Sequence, residues 1–416
     1  MSRTGARAPQ GFTLIELMVG VVISAVVIAG AITLLLAQKR SFQGSSADRA
    51  LQEGGRMALE EMSQNLRLAG FGVEPAMVFD LGLTDNVPMS RAPLGPGFDV
   101  RFGGDSAGTT GFPCATAVQC RDRIDAPDEL AFQYRNPYFN HGILSADTGS
   151  ILVTGPLPQP LRAGQVLQAV CYGGPMYWAY VTVAQEVPAT VAPTFRITLQ
   201  GGSALDYPRQ NQTLADTCFS TGQARLLKVE RLRYFVRSYA ADGTVAAWKA
   251  TGSRPFLMLD RGLSGTDGAP LLDVVAPDVE DLQVSYVFPL SPLGQQVAGA
   301  TSGTQLDSSA NGIDLAPAGG APTYETPRLS PLRATHYPAN VRAVRVEVVV
   351  RSPARDIQNL DAIIPAAGNR PDVADGEPGF RRMSFQTSVA IPNMESRAPL
   401  FPSLGTGADQ LNVGGG

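Results

Sequence analysis

The 416-residue sequence reads as an α+β protein: a long N-terminal helix packed on an antiparallel β-sheet domain with long loops. Three observations lead there. Of 32 prolines, none lies between Pro9 and Pro75. An apolar run, FTLIELMVGVVISAVVIAGAITLLLA, fills residues 12–37. Beyond residue 125, short segments alternate apolar and polar residues at period two. Proline inside a helix costs about 3 kcal/mol or more. The proline-free stretch can therefore hold a long helix, and the remainder suits strands and loops.

Residues 1–11 (MSRTGARAPQG) form a short polar leader with Arg3 and Arg7. Residues 12–37 follow as a transmembrane or filament-core helix, since about 20 apolar residues cross a bilayer. Flanking charges do not settle its orientation, because Arg3 and Arg7 lie before it and Lys39 and Arg40 after it. Its single charge is Glu16. A carboxylate at membrane depth is expensive and needs a partner, yet the run holds no Lys, Arg or His. That partner is a proton or a cation from elsewhere. A cut after Gly11 would place a new amino terminus on Phe12, four residues from Glu16. On a neighbouring copy, that amine is a suitable counter-charge. Such a pair sets the register between packed helices even where its net stability is small.

Residues 38–70 continue the helix in amphipathic form. Leu51, Gly55, Ala58, Met62, Leu66 and Ala69 recur at steps of three and four, with Leu59 beside them. Gly54-Gly55 reads as a weak point, Gly20 and Gly30 as places for local melting, and Gly70 with Gly72 as the stop. One helix from Phe12 to about Ala69 would be roughly 87 Å long at about 1.5 Å per residue.

Residues 71–395 read as the β-rich globular domain. Strands are expected at 129–135, 166–172, 176–184, 195–199, 226–237, 282–288, 344–350 and 383–391. The stretch 294–330 reads as a low-complexity loop and 396–416 as a flexible tail. The acids Asp122, Asp125, Asp128, Glu129, Asp278, Glu280 and Asp281 read as strand ends and solvated turns. Tyr172, Tyr177, Trp178 and Tyr180 read as sheet core, with an exposed binding patch as the alternative. Cys114, Cys120, Cys171 and Cys218 suggest two disulfides in an exported domain, from three connectivities. The preferred pairs are Cys114 with Cys120 and Cys171 with Cys218.

Chemistry-bearing motifs are not evident: GxSxG, HExxH and a phosphate-binding loop are lacking. His141 and His336 are the two histidines, too few for a multi-histidine metal centre. The sequence therefore predicts no catalytic residues, cofactor or metal, and no enzyme. A net charge of −4, falling to −6 if Arg3 and Arg7 leave with the leader, predicts no nucleic-acid partner.

The segment Gly11-Phe12-Thr13-Leu14-Ile15-Glu16-Leu17-Met18-Val19 resembles the prepilin-type cleavage and methylation motif of type IV pilins and type II secretion pseudopilins. The resemblance implies cleavage after Gly11 by a prepilin peptidase, N-methylation of Phe12, and an assembly role for the Glu16 carboxylate. Further segments are similar to PilW-type minor pilins: residues 51–59, 66–72, 279–286 and 381–391. J-type pseudopilins of type II secretion share much of that outline. The resemblance implies a minor pilin that primes assembly or sits at the pilus tip. It further implies an inner-membrane protein with a periplasmic domain before assembly, extracellular afterwards. Its implied partners are the major pilin, other minor pilins, the prepilin peptidase and the inner-membrane assembly platform; a large tip adhesin is a partner of the binding-module reading, which the insertions at 80–125 and 294–330 motivate. A minor pseudopilin and a tip-exposed adhesion module are the alternatives, separable by neighbouring genes and by adhesion assays respectively.

Overall fold

A computed structural model describes residues 14–73, 78–80, 126–172, 177–199, 217–220, 222–265, 270–288, 304–306, 341–356, 361–368, 370–374 and 376–395. Helix α1 spans Leu14–Leu66. It ends in turns where Gly70 and Gly72 take φ of 78° and 67°, a conformation that costs glycine little. The strands are β1 (Phe79–Asp80), β2 (Leu130–Ala146), β3 (Ser150–Thr154), β4 (Val166–Cys171), β5 (Tyr177–Thr182), β6 (Thr194–Thr198) and β7 (Ala224–Tyr239). They continue as β8 (Val245–Ala246), β9 (Arg254–Ser264), β10 (Pro270–Pro277), β11 (Val279–Phe288), β12 (Thr304–Leu306), β13 (Ala343–Arg351) and β14 (Arg382–Ala390). Among the described residues there are also two single-turn helices, α2 (Thr217–Ser220) and α3 (Pro392–Glu395).

Among the described residues the strands form two antiparallel sheets. The larger runs β10-β9-β7-β2-β3-β6, with β1 on β2, β4 and β8 on β7, and β5 on β4. The smaller runs β12-β11-β13-β14. The α+β reading is therefore correct. Within the stretch read as a loop, β12 pairs Tyr286 with Leu306; the rest of 294–330, and the tail 396–416, lie outside the described residues.

Two apolar cores divide the larger sheet. The first gathers Leu51, Ala58, Met62, Leu66 and Ala69 from the helical stripe. They meet Leu130 and Phe132 of β2, Leu232 and Tyr234 of β7, Val284 of β11, and Val344, Val346, Val348 and Val350 of β13. The second holds Ile143 of β2, Ala224 and Leu226 of β7, and residues of β3 to β6. Strands β2 and β7 thus run from one core into the other. Alternation predicted only 129–135 of β2, because Pro137 interrupts it. The structure absorbs that proline where the β2–β7 pairing shifts between Arg135 and Asn140, a position that needs no ladder donor.

Gly54-Gly55 is an approach point and not a break. A β-carbon on Gly55 would overlap the Phe385 ring of β14, and one on Gly54 would touch Val350 at 3.4 Å. Gly55→Ala sets a helix-propensity gain of about 1 kcal/mol against an overpacking cost of about 1–3 kcal/mol. Overpacking wins, so the variant is expected to lose up to about 2 kcal/mol in a urea titration. Phe385→Leu in the same chain should recover part of that loss. A Gly55→Ala protein more stable than wild type would refute the close packing.

Of the acids read as strand ends and solvated turns, Asp128, Glu129, Asp278, Glu280 and Asp281 do lie at strand ends, but they are buried and not solvated. Asp278 (φ 60°) stands where the chain passes from β10 to β11. Its N–H donates to Pro255 O of β9 at 2.8 Å, and its C=O accepts from Arg351 N–H of β13 at 2.9 Å. Arg254 holds its carboxylate with two bonds, 3.0 and 2.7 Å. Glu280 takes two bonds from Arg382, 2.6 and 3.1 Å. Glu129 takes two from Arg233, 2.9 and 2.7 Å. Asp128 accepts Val284 N–H at 2.9 Å. Asp281 and Arg370, both wholly buried, meet at 2.6 Å. Where two sheets join, strand-end N–H groups need acceptors, and facing arginines supply the countercharge that burial demands. Asp122 and Asp125 lie outside the described residues.

Candidate functional site

The residues predicted for processing and assembly fall on the start of α1. Gly11 and Phe12 lie outside the described residues. Glu16 occupies the first turn of α1, where the helix dipole favours an acid. Around it the apolar surface is bare: Leu14, Ile15, Leu17, Met18 and Val19 are all exposed, and so are the large apolar residues up to Leu36. The helix is long and apolar enough to cross a membrane.

Among the described residues of this run two carry hydroxyls, Ser24 and Thr33, and each is spent on the helix itself. Ser24 Oγ donates to Gly20 O at 2.8 Å, and Thr33 Oγ1 donates to Gly30 O at 2.8 Å. A hydroxyl so bonded carries little desolvation cost into an apolar medium. Both bonds land on glycines read from the sequence as places for melting, and α1 is continuous through both. The signal is legible in the sequence: a hydroxyl three or four residues after a glycine. What the surface then presents is one carboxylate among aliphatic side chains. Chemically it can recruit a cation and exclude other anions.

The second half of α1 is locked to the β-domain by polar contacts as well as by its apolar stripe. Asn65 Nδ2 donates to Glu61 Oε1 at 2.9 Å and to the Tyr234 hydroxyl at 2.7 Å. Burial pushes the Tyr234 phenol well above its ordinary value, so it stays neutral and available. Beyond the helix end, Asn393 of α3 donates to the carbonyls of Arg67, Leu68 and Ala69 at 3.3, 3.4 and 3.1 Å. Carbonyls at a helix end run out of intrahelical donors; of these, Leu68 O also accepts the Phe71 N–H at 3.0 Å. The chain after β14 therefore caps the helix that opens the domain.

Cys171 closes β4 and is joined by a disulfide to Cys218 of α2, with a Cα–Cα distance of 6.2 Å. Cys114 and Cys120 lie outside the described residues. Tyr172 corrects the sheet-core reading: it is 58% exposed, one residue past the last β4 pair. Tyr180 is buried and accepts from Gln168 at 2.9 Å. The side chains of Tyr177 and Trp178 lie outside the described residues. His141 is half-buried, its Nδ1 at 2.7 Å from Thr154 O and its ring set edge-on to Phe139 and Phe195. His336 lies outside the described residues.

Comparison with known proteins completes the picture. No curated protein and no solved structure matches the chain. A family model does: residues 7–32 match the prokaryotic N-terminal methylation motif. The matched stretch encloses Gly11, Phe12 and Glu16 and runs into the exposed apolar half of α1. The chain carries that methylation motif, and the motif supports a type IV pilin-like or pseudopilin-like protein.

Proposed function

We propose that the protein is a PilW-like minor pilin, a structural subunit that primes assembly of a type IV pilus or sits at its tip. The observation that carries this reading is Glu16, the one acid on the exposed apolar half of α1, four residues beyond Phe12 and inside the matched motif. Prepilin peptidase would cut after Gly11 and methylate Phe12. Before assembly α1 would hold the chain in the inner membrane with the β-domain in the periplasm. The assembly platform would then draw it into the filament, where Glu16 meets the amine of an adjacent major or minor pilin. A low-dielectric surrounding makes that attraction strong enough to choose the register. Capping and close packing at the far end of α1 would keep the β-domain attached during extraction.

Glu16→Ala tests this reading. The variant is expected to be processed normally, yet to co-purify with sheared filaments at less than about one tenth of the wild-type amount, one unit of log affinity. Normal incorporation with a normal pilus number would sink the proposal, as would a mature chain that retains residues 1–11 in a host with active peptidase. The same motif fits a minor pseudopilin of type II secretion. That assignment wins if deleting the gene stops exoprotein release and leaves pili intact. A large adhesin at the tip is a further proposed partner, tested by co-purification with the β-domain.

A further inference from the structure

We propose that the outer face of the smaller sheet carries a binding pocket for a hydroxylated ligand, the edge of one sugar unit. This proposal does not rest on the pilin reading. The pocket, of about 80 Å³, lies over cross-strand rows of β11, β13 and β14. Gln283, Glu347 and Gln386 form one row, and Ser285 and Arg345 belong to the next. Gly368 closes one side.

This wall is built. Arg370 donates to Asp281 at 2.6 Å, to Pro371 O at 2.7 Å and to Pro365 O at 2.6 Å, which pins the turn bearing Gly368 onto the sheet. Gly368 has φ of 53°, and a β-carbon there would stand 2.8 Å from Gln283 Cβ. Only glycine brings the backbone this close. Its N–H then donates to Glu347 Oε2 at 3.0 Å, which orients that carboxylate. Gln283 is oriented too, because its Nε2 donates to Ala126 O and to Asp281 Oδ1, both at 3.1 Å. Its Oε1 is left as a buried acceptor with no hydrogen bond, in a side chain 1% exposed.

The donor set selects the ligand class. Gln283 Oε1 and the Glu347 carboxylate only accept, whereas the Arg345 guanidinium only donates. An ammonium group would satisfy the acceptors and meet the Arg345 charge. A carboxylate or phosphate would satisfy Arg345 and meet Glu347. A hydroxyl donates and accepts at once, so neighbouring hydroxyls on one ring edge satisfy both sides. The volume is well below the roughly 300 Å³ or more of a site enclosing a whole small molecule. It holds the hydroxyl-bearing edge and leaves the rest of the sugar in solvent.

Saturation-transfer NMR on the full chain tests the proposal, in lauryldimethylamine oxide micelles, which bring no sugar headgroup. The probes are the methyl glycosides of mannose, glucose, galactose and N-acetylglucosamine, with ethylammonium and acetate as charged competitors. At least one glycoside is expected to show transfer at millimolar concentration. Arg345→Leu and Gln386→Leu should each weaken it about tenfold, the loss of roughly one good hydrogen bond, with unchanged thermal melting. Gly368→Ala, which fills the approach to Gln283, should abolish it. Three results would each overturn the idea: preference for ethylammonium or acetate, glycoside transfer undiminished in folded Arg345→Leu and Gln386→Leu, or no glycoside transfer up to about 50 mM.

Discussion

Replacing Arg370 with Met is expected to destabilise the β-domain by about 3–5 kcal/mol, the cost of leaving a buried carboxylate uncompensated. Asp281 and Arg370 are both wholly buried, so water cannot take over the lost contact. The two Pro carbonyls that Arg370 holds are released as well. Trp248 reports on this region, since its indole N–H donates to Glu280 O at 2.8 Å and it packs beside Val349, Ile364 and Ala367. A urea titration followed by its fluorescence would measure the change. The loss should also depend on pH. Burial pushes the Asp281 carboxyl above its ordinary value, and Arg370 pulls it back. A raised carboxyl keeps its proton in the folded state over a window where the unfolded chain has released it. Folding then binds a proton, so stability falls as pH rises through that window. Without Arg370 the window extends upward. The deficit of Arg370→Met against wild type should therefore shrink as pH falls toward about 4, the ordinary carboxylate range. Asp281→Asn added to Arg370→Met should restore part of the stability at neutral pH. A deficit below about 1 kcal/mol would place this pair among contacts that water can replace.

Removing the Cys171–Cys218 disulfide is expected to cost about 4 kcal/mol. The two cysteines are 47 residues apart, and closing a loop of that size restricts the unfolded chain by about that amount in the chain-entropy model. For a chain of this size the melting temperature should drop by roughly 5 °C. The loss should not be uniform. Cys171 belongs to the second core, with Leu167, Ala179 and Val181 of β4 and β5. Hydrogen exchange in the Cys171→Ala/Cys218→Ala protein should thus accelerate first in β4 and β5, while β11 and β13 keep their protection. Equal acceleration in both cores would mean that they unfold as one unit.

Much of this was legible because period and spacing report which face of an element is covered. The stripe from Leu51 to Ala69 and the alternation of Val344, Val346, Val348 and Val350 both point to the first core, and the structure buries them there. What escaped depends on partners distant in sequence. Asp281 looked like a solvated acid at a strand end until Arg370, 89 positions later, came beside it. Gly55 looked like a weakness until Phe385 came to lie over it. Strands β9 and β10 went unread because Pro255, Pro270 and Pro277 stand in them. Pro270 and Pro277 lie at the ends of β10, which β9 alone borders in its sheet among the described residues. Such positions tolerate proline. The processing motif is different in kind: Gly11, Phe12 and Glu16 are close neighbours in sequence, so it is readable without any fold.

Strands β2 and β7 have one further consequence, for how such a chain can diversify. Each gives one end to the core under the helix and the other to the disulfide-linked core. The stretch from Ile143 to Leu226 can consequently lengthen, shrink or be swapped for an unrelated β-module without altering one residue that touches the helical stripe. Grafting a foreign hairpin onto those two strand ends is the engineering counterpart of that evolutionary freedom.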